Sequence, residues 1–251
     1  MDEPAAKVSE IFASVQGEGV HAGRMHLFVR FVGCNLNCAY CDTSRRATRR
    51  AAVEFPPGSS VREYLDSPVS VSALLAQLER FTTGAYRYHA LALTGGEPLL
   101  QPLGCLRALS GWARAHQMKT LLETNGTLHR RMQSLAPEID IVAMDIKLPS
   151  ATGEAARWND NRAFLRAAGR AAETFVKVIV APETQRSEME RAAEIVAEAD
   201  ATIPLVIQPV TPRRGGRFPD AALLFALYRT AAAHLKDVRL LPQIHKFMRL
   251  P

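Results

Sequence analysis

A chain of 251 residues, 47% of them hydrophobic and 22% charged, has the balance of a globular protein and enough length for one sizeable core. Its apolar content is too high for a disordered chain, and its four cysteines are too few for a disulfide-built scaffold. The formal charge of +6 has its densest basic run in TSRRATRRAA (Thr43–Ala52), which lacks an aromatic to stack on a base and reads as a solvated loop rather than a nucleic-acid contact.

No apolar run approaches the ~20 residues of a membrane-spanning helix. The acidic start MDEPAAKVSE lacks the basic-then-apolar layout of a secretion signal, so the expected compartment is the cytoplasm, where thiols stay reduced. In chain order, SVQGEG (Ser14–Gly19) precedes a strand-like run, HLFVRFVG (His26–Gly33), which carries Arg30 and leads into GCNLNCAYCDT (Gly33–Thr43). The stretch from Arg45 to Pro68, with PPGSS at its middle, reads as an insertion. VSALLAQLERF (Val71–Phe81) follows, with apolar residues at helical spacing.

Strand-like ALALTGG (Ala90–Gly96), helical CLRALSGWARAH, then strand-like KTLLETNG (Lys119–Gly126) and IDIVAMDIK (Ile139–Lys147) come next. FVKVIVAP (Phe175–Pro182) precedes helical SEMERAAEIVAEA, where Ser187 and Glu190 fit a capping box. IPLVIQP (Ile203–Pro209), helical ALLFALYRTAAAH and a short strand at VRLLP finish the pattern. Apolar strands alternating with amphipathic helices predict an α/β fold, with a parallel sheet covered by helices in one domain over residues 1–251. Six or so repeats suit an incomplete TIM-like β/α barrel. Polar motifs stand at the strand ends, where the C-terminal mouth of such a barrel carries active sites.

Three of the four cysteines fall within eight residues, at spacing C-x3-C-x2-C: Cys34, Cys38 and Cys41. A structural zinc site wants four protein ligands, and no second pair follows. Buried cysteines can pack as small hydrophobes, but Asn35, Asn37 and Asp42 are poor neighbours for a dry core. A [4Fe–4S] cluster with one iron left open is the third reading. Cys105 lies on the apolar face of a helical run and is expected to pack in the core.

The triplet, with Tyr40 just before its last cysteine, resembles the signature of the radical S-adenosylmethionine (SAM) enzymes. That resemblance implies a cluster on Cys34, Cys38 and Cys41 whose open iron binds SAM. It further implies a partial-barrel fold and cleavage of SAM to a 5′-deoxyadenosyl radical. TGGEP (Thr94–Pro98) resembles the family's glycine-rich turn, and ETNG and DIK fall at the next strand ends. The SAM contacts so implied are Gly95, Gly96, Glu97, Glu123, Asn125, Asp145, Ile146, Lys147, Gln208, Pro209, Val210 and Thr211.

QGEG before the first strand, Arg30, and the ending QIHKFMRLP together resemble the 7-carboxy-7-deazaguanine synthase family, along essentially the whole chain. The implied activity is that of a lyase in the synthesis of queuosine and other 7-deazapurines. The radical takes hydrogen from C6 of 6-carboxy-5,6,7,8-tetrahydropterin, the ring contracts, ammonia leaves and SAM is regenerated. Substrate contacts are implied for Val15, Gln16, Gly17, Glu18, Arg30, Thr94, His245 and Pro251, and a Mg2+ ligand for Thr43. The resemblance also implies a homodimer and an electron donor such as flavodoxin or ferredoxin. It identifies no acid or base. Two rivals are a glycyl-radical activating enzyme, which has no use for the QGEG and HK…P ends, and a non-catalytic iron–sulfur or zinc module.

Overall fold

The computed structural model describes residues 3–41, 43, 49–169, 171, 173–212 and 216–251. Asp42 and the heart of the basic run, 44–48, lie outside them. Twelve strands run in chain order: β1 (Ala5–Ala6), β2 (Val8–Val15), β3 (Met25–Phe31), β4 (Arg50–Glu54), β5 (Arg62–Asp66), β6 (Val69–Ser70), β7 (Ala90–Gly95), β8 (Lys119–Thr124), β9 (Ile141–Asp145), β10 (Glu173–Val180), β11 (Leu205–Pro209) and β12 (Val238–Leu240). The helices are α1 (Val71–Thr82), α2 (Leu103–Ala115), α3 (His129–Leu135), α4 (Pro149–Thr152), α5 (Trp158–Ala168), α6 (Arg186–Asp200), α7 (Ala221–Ala232) and α8 (Ile244–Met248).

Ten strands form one sheet in the order β12-β11-β10-β9-β8-β7-β3-β2-β4-β5. From β3 to β12 every neighbouring pair is parallel, as expected for strands linked through helices. β2 is antiparallel to β3, and the two end strands do not meet, so the barrel is incomplete. Strand alternation divides the interior in two. Leu91 and Leu93, Leu122, Val142 and Met144, and Val176 and Val178 point to the helices and join the large core with Leu74, Leu106, Phe164 and Val196.

The other face carries Ala90 and Ala92, Leu121, Ile141 and Ala143, Phe175 and Val206, which close into a second, smaller cluster. Further along each strand the same parity becomes polar: Thr94, Glu123, Asp145, Lys177 and Gln208. One face is thus an apolar plug at its start and a polar lumen at its end.

Two elements differ from the periodicity. The insertion contains the β4–β5 hairpin, which adds an outer edge to the sheet. Helix α6 begins at Arg186 after Gln185 with no side-chain cap, so Ser187 sits inside the first turn rather than at the cap. Ser70 and Asp220 do cap α1 and α7, accepting from Ala73 N and Leu223 N.

Candidate active site

The mouth of the sheet opens on a cavity of about 550 Å3. Its floor is the Gln16–Glu18 segment, turned inward after β2. Gln16 is 4% exposed, and its Nε2 donates to Glu123 Oε1 at 3.0 Å while Thr94 Oγ1 donates to Glu123 Oε2 at 2.6 Å. The C-terminal segment clamps the floor from the other side. Ile244 N donates to Gly17 O at 2.9 Å, Gln243 Nε2 to Glu18 Oε1 at 2.5 Å, and Ser14 Oγ to Pro251 O at 3.1 Å. A Cβ on Gly17 would lie 1.7 Å from His245 Nδ1, so only glycine lets helix α8 come this close. Beneath the floor sit His21, His26 and His89, with His21 Nε2 2.8 Å from Glu173 Oε1.

The cysteine loop leaves β3 and lines the same cavity. Cys34, Cys38 and Cys41 all line the cavity, with Thr43 beside them. Leu36 N and Asn125 Nδ2 point at Cys34 Sγ, at 3.4 and 3.7 Å. Burial pushes the Cys34 and Cys38 thiols up, so they stay protonated until a metal displaces the proton. The loop is pinned by the glycine-rich turn. Glu97 N donates to Gly33 O at 2.7 Å, and Gly96 lies so close that a Cβ there would meet Gly33 O at 2.0 Å.

Charges cross the cavity in a chain. Glu18 pairs with Lys177, Lys177 Nζ lies 3.5 Å from Asp145 Oδ1, and Asp145 Oδ2 pairs with Lys147 Nζ at 2.8 Å. Lys147 in turn stands 5.5 Å from the centre of the Tyr40 ring. Burial alone would raise Glu18, but Lys177, with Gln243 and His245, outweighs it and holds the carboxyl down at about 2. Burial likewise works to discharge Lys147 and Lys177, but the neighbouring groups together outweigh it, Asp145 and Tyr40 for Lys147 and Asp145, Glu18 and Glu123 for Lys177, so both ammoniums remain protonated. Arg30 reaches the cavity while bonded to Glu10 at 3.1 Å and lying over the Phe12 ring, which is stacked on Phe28.

The expected positions converge with three exceptions. Val15, Gly95, Val210, Thr211 and His245 line the same cavity as the floor, the thiols and the charge chain. Ile146 is fully buried in the core, Pro209 is absent from the lining, and Glu97 is turned away from it. The Glu97 carboxylate is fully buried and accepts from Leu99 N, Thr124 Oγ1 and Asn125 N, and burial pushes it up to about 7. In this geometry it ties the glycine-rich turn to the ETNG strand end and makes no contact across the lumen. Cys105, fully buried in α2, belongs to the core. Sequence reading overlooked Lys177 and Gln243, although a lone charge inside FVKVIV is itself a signal.

The residues fit the cofactors implied. Three thiols face one space, with two N–H donors already aimed at one sulfur. Gln208, 1% exposed, presents an Oε1 without a partner, a ready acceptor for a hydroxyl or ammonium of a second ligand.

Comparisons with known proteins agree with this arrangement. The Radical SAM superfamily model matches residues 28–199. A 7-carboxy-7-deazaguanine synthase of Geobacter sulfurreducens is 40% identical, covering 99% of both chains, and one of Methanopyrus kandleri is 36% identical, covering 98% of this chain and 94% of its own. Among solved structures, QueE from Escherichia coli superposes with a TM-score of 0.58 at 18% identity, covering 94% of this chain and 93% of that one, a likeness of fold. The thiol triplet, the glycine-pinned loop and the full-length likeness together lead to one assignment: this chain is a radical SAM enzyme and belongs to the 7-carboxy-7-deazaguanine synthase family.

Proposed function

We propose that the enzyme converts 6-carboxy-5,6,7,8-tetrahydropterin to 7-carboxy-7-deazaguanine with release of ammonia. The observation that carries this reading is a single lumen lined both by the cysteine triplet and by Gln16, Glu18 and Arg30. Relatives along the full chain length bear that enzyme's name.

Cys34, Cys38 and Cys41 would hold the cluster. Gly95 and Gly96, Glu123, Asn125, Asp145, Lys147 and Gln208 would hold SAM, with Val210 and Thr211 at its outer edge. When bound, the cluster and SAM would supply the chemistry for reversible hydrogen abstraction at C6. Gln16 and Glu18 present an acceptor-rich edge that suits the amide–amine face of a pterin, because a carboxylate accepts from paired N–H groups. Arg30 matches the substrate carboxylate by its fork geometry, with Thr94, His245, Pro251 and the backbone at Val15 and Gly17 completing the contact. Thr43, in the cavity lining, would be the protein ligand for Mg2+.

Neither Lys147 nor Lys177 can serve as a base, since each ammonium is held by a carboxylate. The Phe12–Phe28 stack and the plug beneath it keep water from the floor, which strengthens each polar contact inside. The test is an anaerobic incubation of reconstituted enzyme with SAM, reductant, Mg2+ and the tetrahydropterin, read by mass spectrometry. Formation of 7-carboxy-7-deazaguanine with SAM undepleted is expected. Release of 5′-deoxyadenosine without that product would overturn the substrate and leave the radical chemistry standing.

A further inference from the structure

Lys177 is the one charge within the apolar run Phe175–Val180, and it is only 7% exposed. Strand parity aims it into the lumen beside Ile179. Its cost of burial is met by Glu18 and Asp145, whose β9 position is directly across the ladder. Glu18 depends on it in turn. A carboxylate in so dry a site takes up a proton unless a cation or several donors oppose this, and its other neighbours are Gln243 and His245.

We infer that Lys177 is a positioning residue for substrate recognition: it holds the Glu18 carboxylate ionised and aimed across the lumen, so that Glu18 accepts from the N–H edge of a pterin instead of donating a hydroxyl to it. The inference rests on the pterin reading above. The groups facing the pair are Asp145 from β9, Glu123 from β8, Lys147 after β9, and Gln243 and His245 from the C-terminal segment. Three carboxylates thus share two ammoniums. Without Lys177, Glu18 would lose its bonded ammonium and keep Gln243 and His245, while Lys147 stays bonded to Asp145. Burial then favours the protonated carboxyl.

The test uses cluster-loaded protein and pterin-6-carboxylate, the aromatic form that lacks the C6 hydrogen, titrated calorimetrically between pH 5.5 and 7.5. In the wild type, affinity should owe no pH dependence to Glu18. In Lys177→Met, affinity should weaken about tenfold for each pH unit below the new Glu18 pKa, and Lys177→Arg should restore the flat profile. The deciding comparison is K177M against the double variant K177M/E18Q, which should bind weakly, without the extra slope, and no worse than E18Q alone. A wild-type profile in K177M, or an equal loss from K177M whether residue 18 is Glu or Gln, overturns the inference.

A ligand-free measurement separates it from the pterin reading. In K177M the Glu18 pKa lies above its unfolded value, so melting temperature should fall from pH 5 to 8 relative to K177M/E18Q. Parallel curves overturn the inference even if pterin binds. A melting difference with no pterin binding in the wild type would sink the substrate alone. If K177M does not fold, K177M/E18Q should, because removing a whole buried pair is far less costly than breaking it; failure of both overturns the pairing.

Discussion

Gly96→Ala tests how the cysteine loop is held. A Cβ at residue 96 would lie 2.0 Å from Gly33 O and 2.6 Å from Gly33 C, and ordinary contact begins at 3.4 Å, so the Gly33 peptide must recede by about 1.4 Å. The obstacle is backbone, which cannot rotate away as a side-chain tip can. Overpacking of this kind costs ~1–3 kcal/mol. Loss of the Glu97 N to Gly33 O bond (2.7 Å) adds ~0.5–1.5 kcal/mol, for a total of about 2–4 kcal/mol. At about 2–4 °C per kcal/mol for a chain of this size, the melting temperature should drop by roughly 5–15 °C. Cys34 adjoins Gly33 and moves with it, so iron retained after anaerobic reconstitution should fall as well. Gly111→Ala is the control. That glycine lies exposed in α2, its Cβ would meet nothing within 4 Å, and alanine there should stabilise by ~0.5–1 kcal/mol with full iron. If Gly96→Ala melts with the wild type and holds a full iron complement, the close approach does not pin the loop.

Three further outcomes follow from the geometry. His26 is fully buried and has no partner for either ring nitrogen among the described residues, and burial, then His89, His21 and Arg24, pull it down to about 3. A depressed pKa gives stability that is present above ~6.5 and lost as pH falls toward the folded value. The unfolding free energy should therefore lose up to ~1.4 kcal/mol per pH unit through this window, and His26→Leu should flatten that slope in urea titrations at pH 4 to 7. Cys38→Ala should abolish a complete cluster, whereas Cys105→Ala should leave iron unchanged and cost only the packing of a small core side chain, read by iron analysis and thermal melting. Gly17→Ala should expel His245 and loosen residues 243–251, seen as faster amide exchange in that segment with α1 and α2 unaffected.

The alternation of apolar strands and amphipathic helices was legible in the sequence because burial enforces it. Leu91 and Leu93 must face the helices, and Thr94 must then face the lumen. The mouth was legible for the same reason, since Glu123, Asp145 and Gln208 end apolar strands. What escaped depended on partners distant in sequence. Lys177 looks like an interruption of a strand until Glu18 is brought to it from 159 residues away. The β4–β5 hairpin hides in a stretch whose outer strand is mostly exposed, and so lacks a clean apolar face. Glu97 occupies a motif position associated with a ligand, yet backbone donors at Leu99 and Asn125 draw its carboxylate inward. Ser187 carries cap chemistry two positions too late, because the helix starts at Arg186 after Gln185.

The clamp of the C-terminal segment on the floor has a bearing on how the enzyme is made. Gln243 reaches Glu18 across 225 positions and Pro251 reaches Ser14 across 237, among the longest separations the chain can offer. Contacts so distant form late, after the loop-closure entropy of the intervening chain has been met. On the ribosome, β2, β3 and the cysteine loop emerge long before the segment that holds Gln16–Glu18 in place. A nascent or truncated chain would thus have its sheet and its thiols while the floor of its lumen was still unsupported. Iron uptake and substrate recognition should then mature at different times, with metal loading first and a competent pocket last.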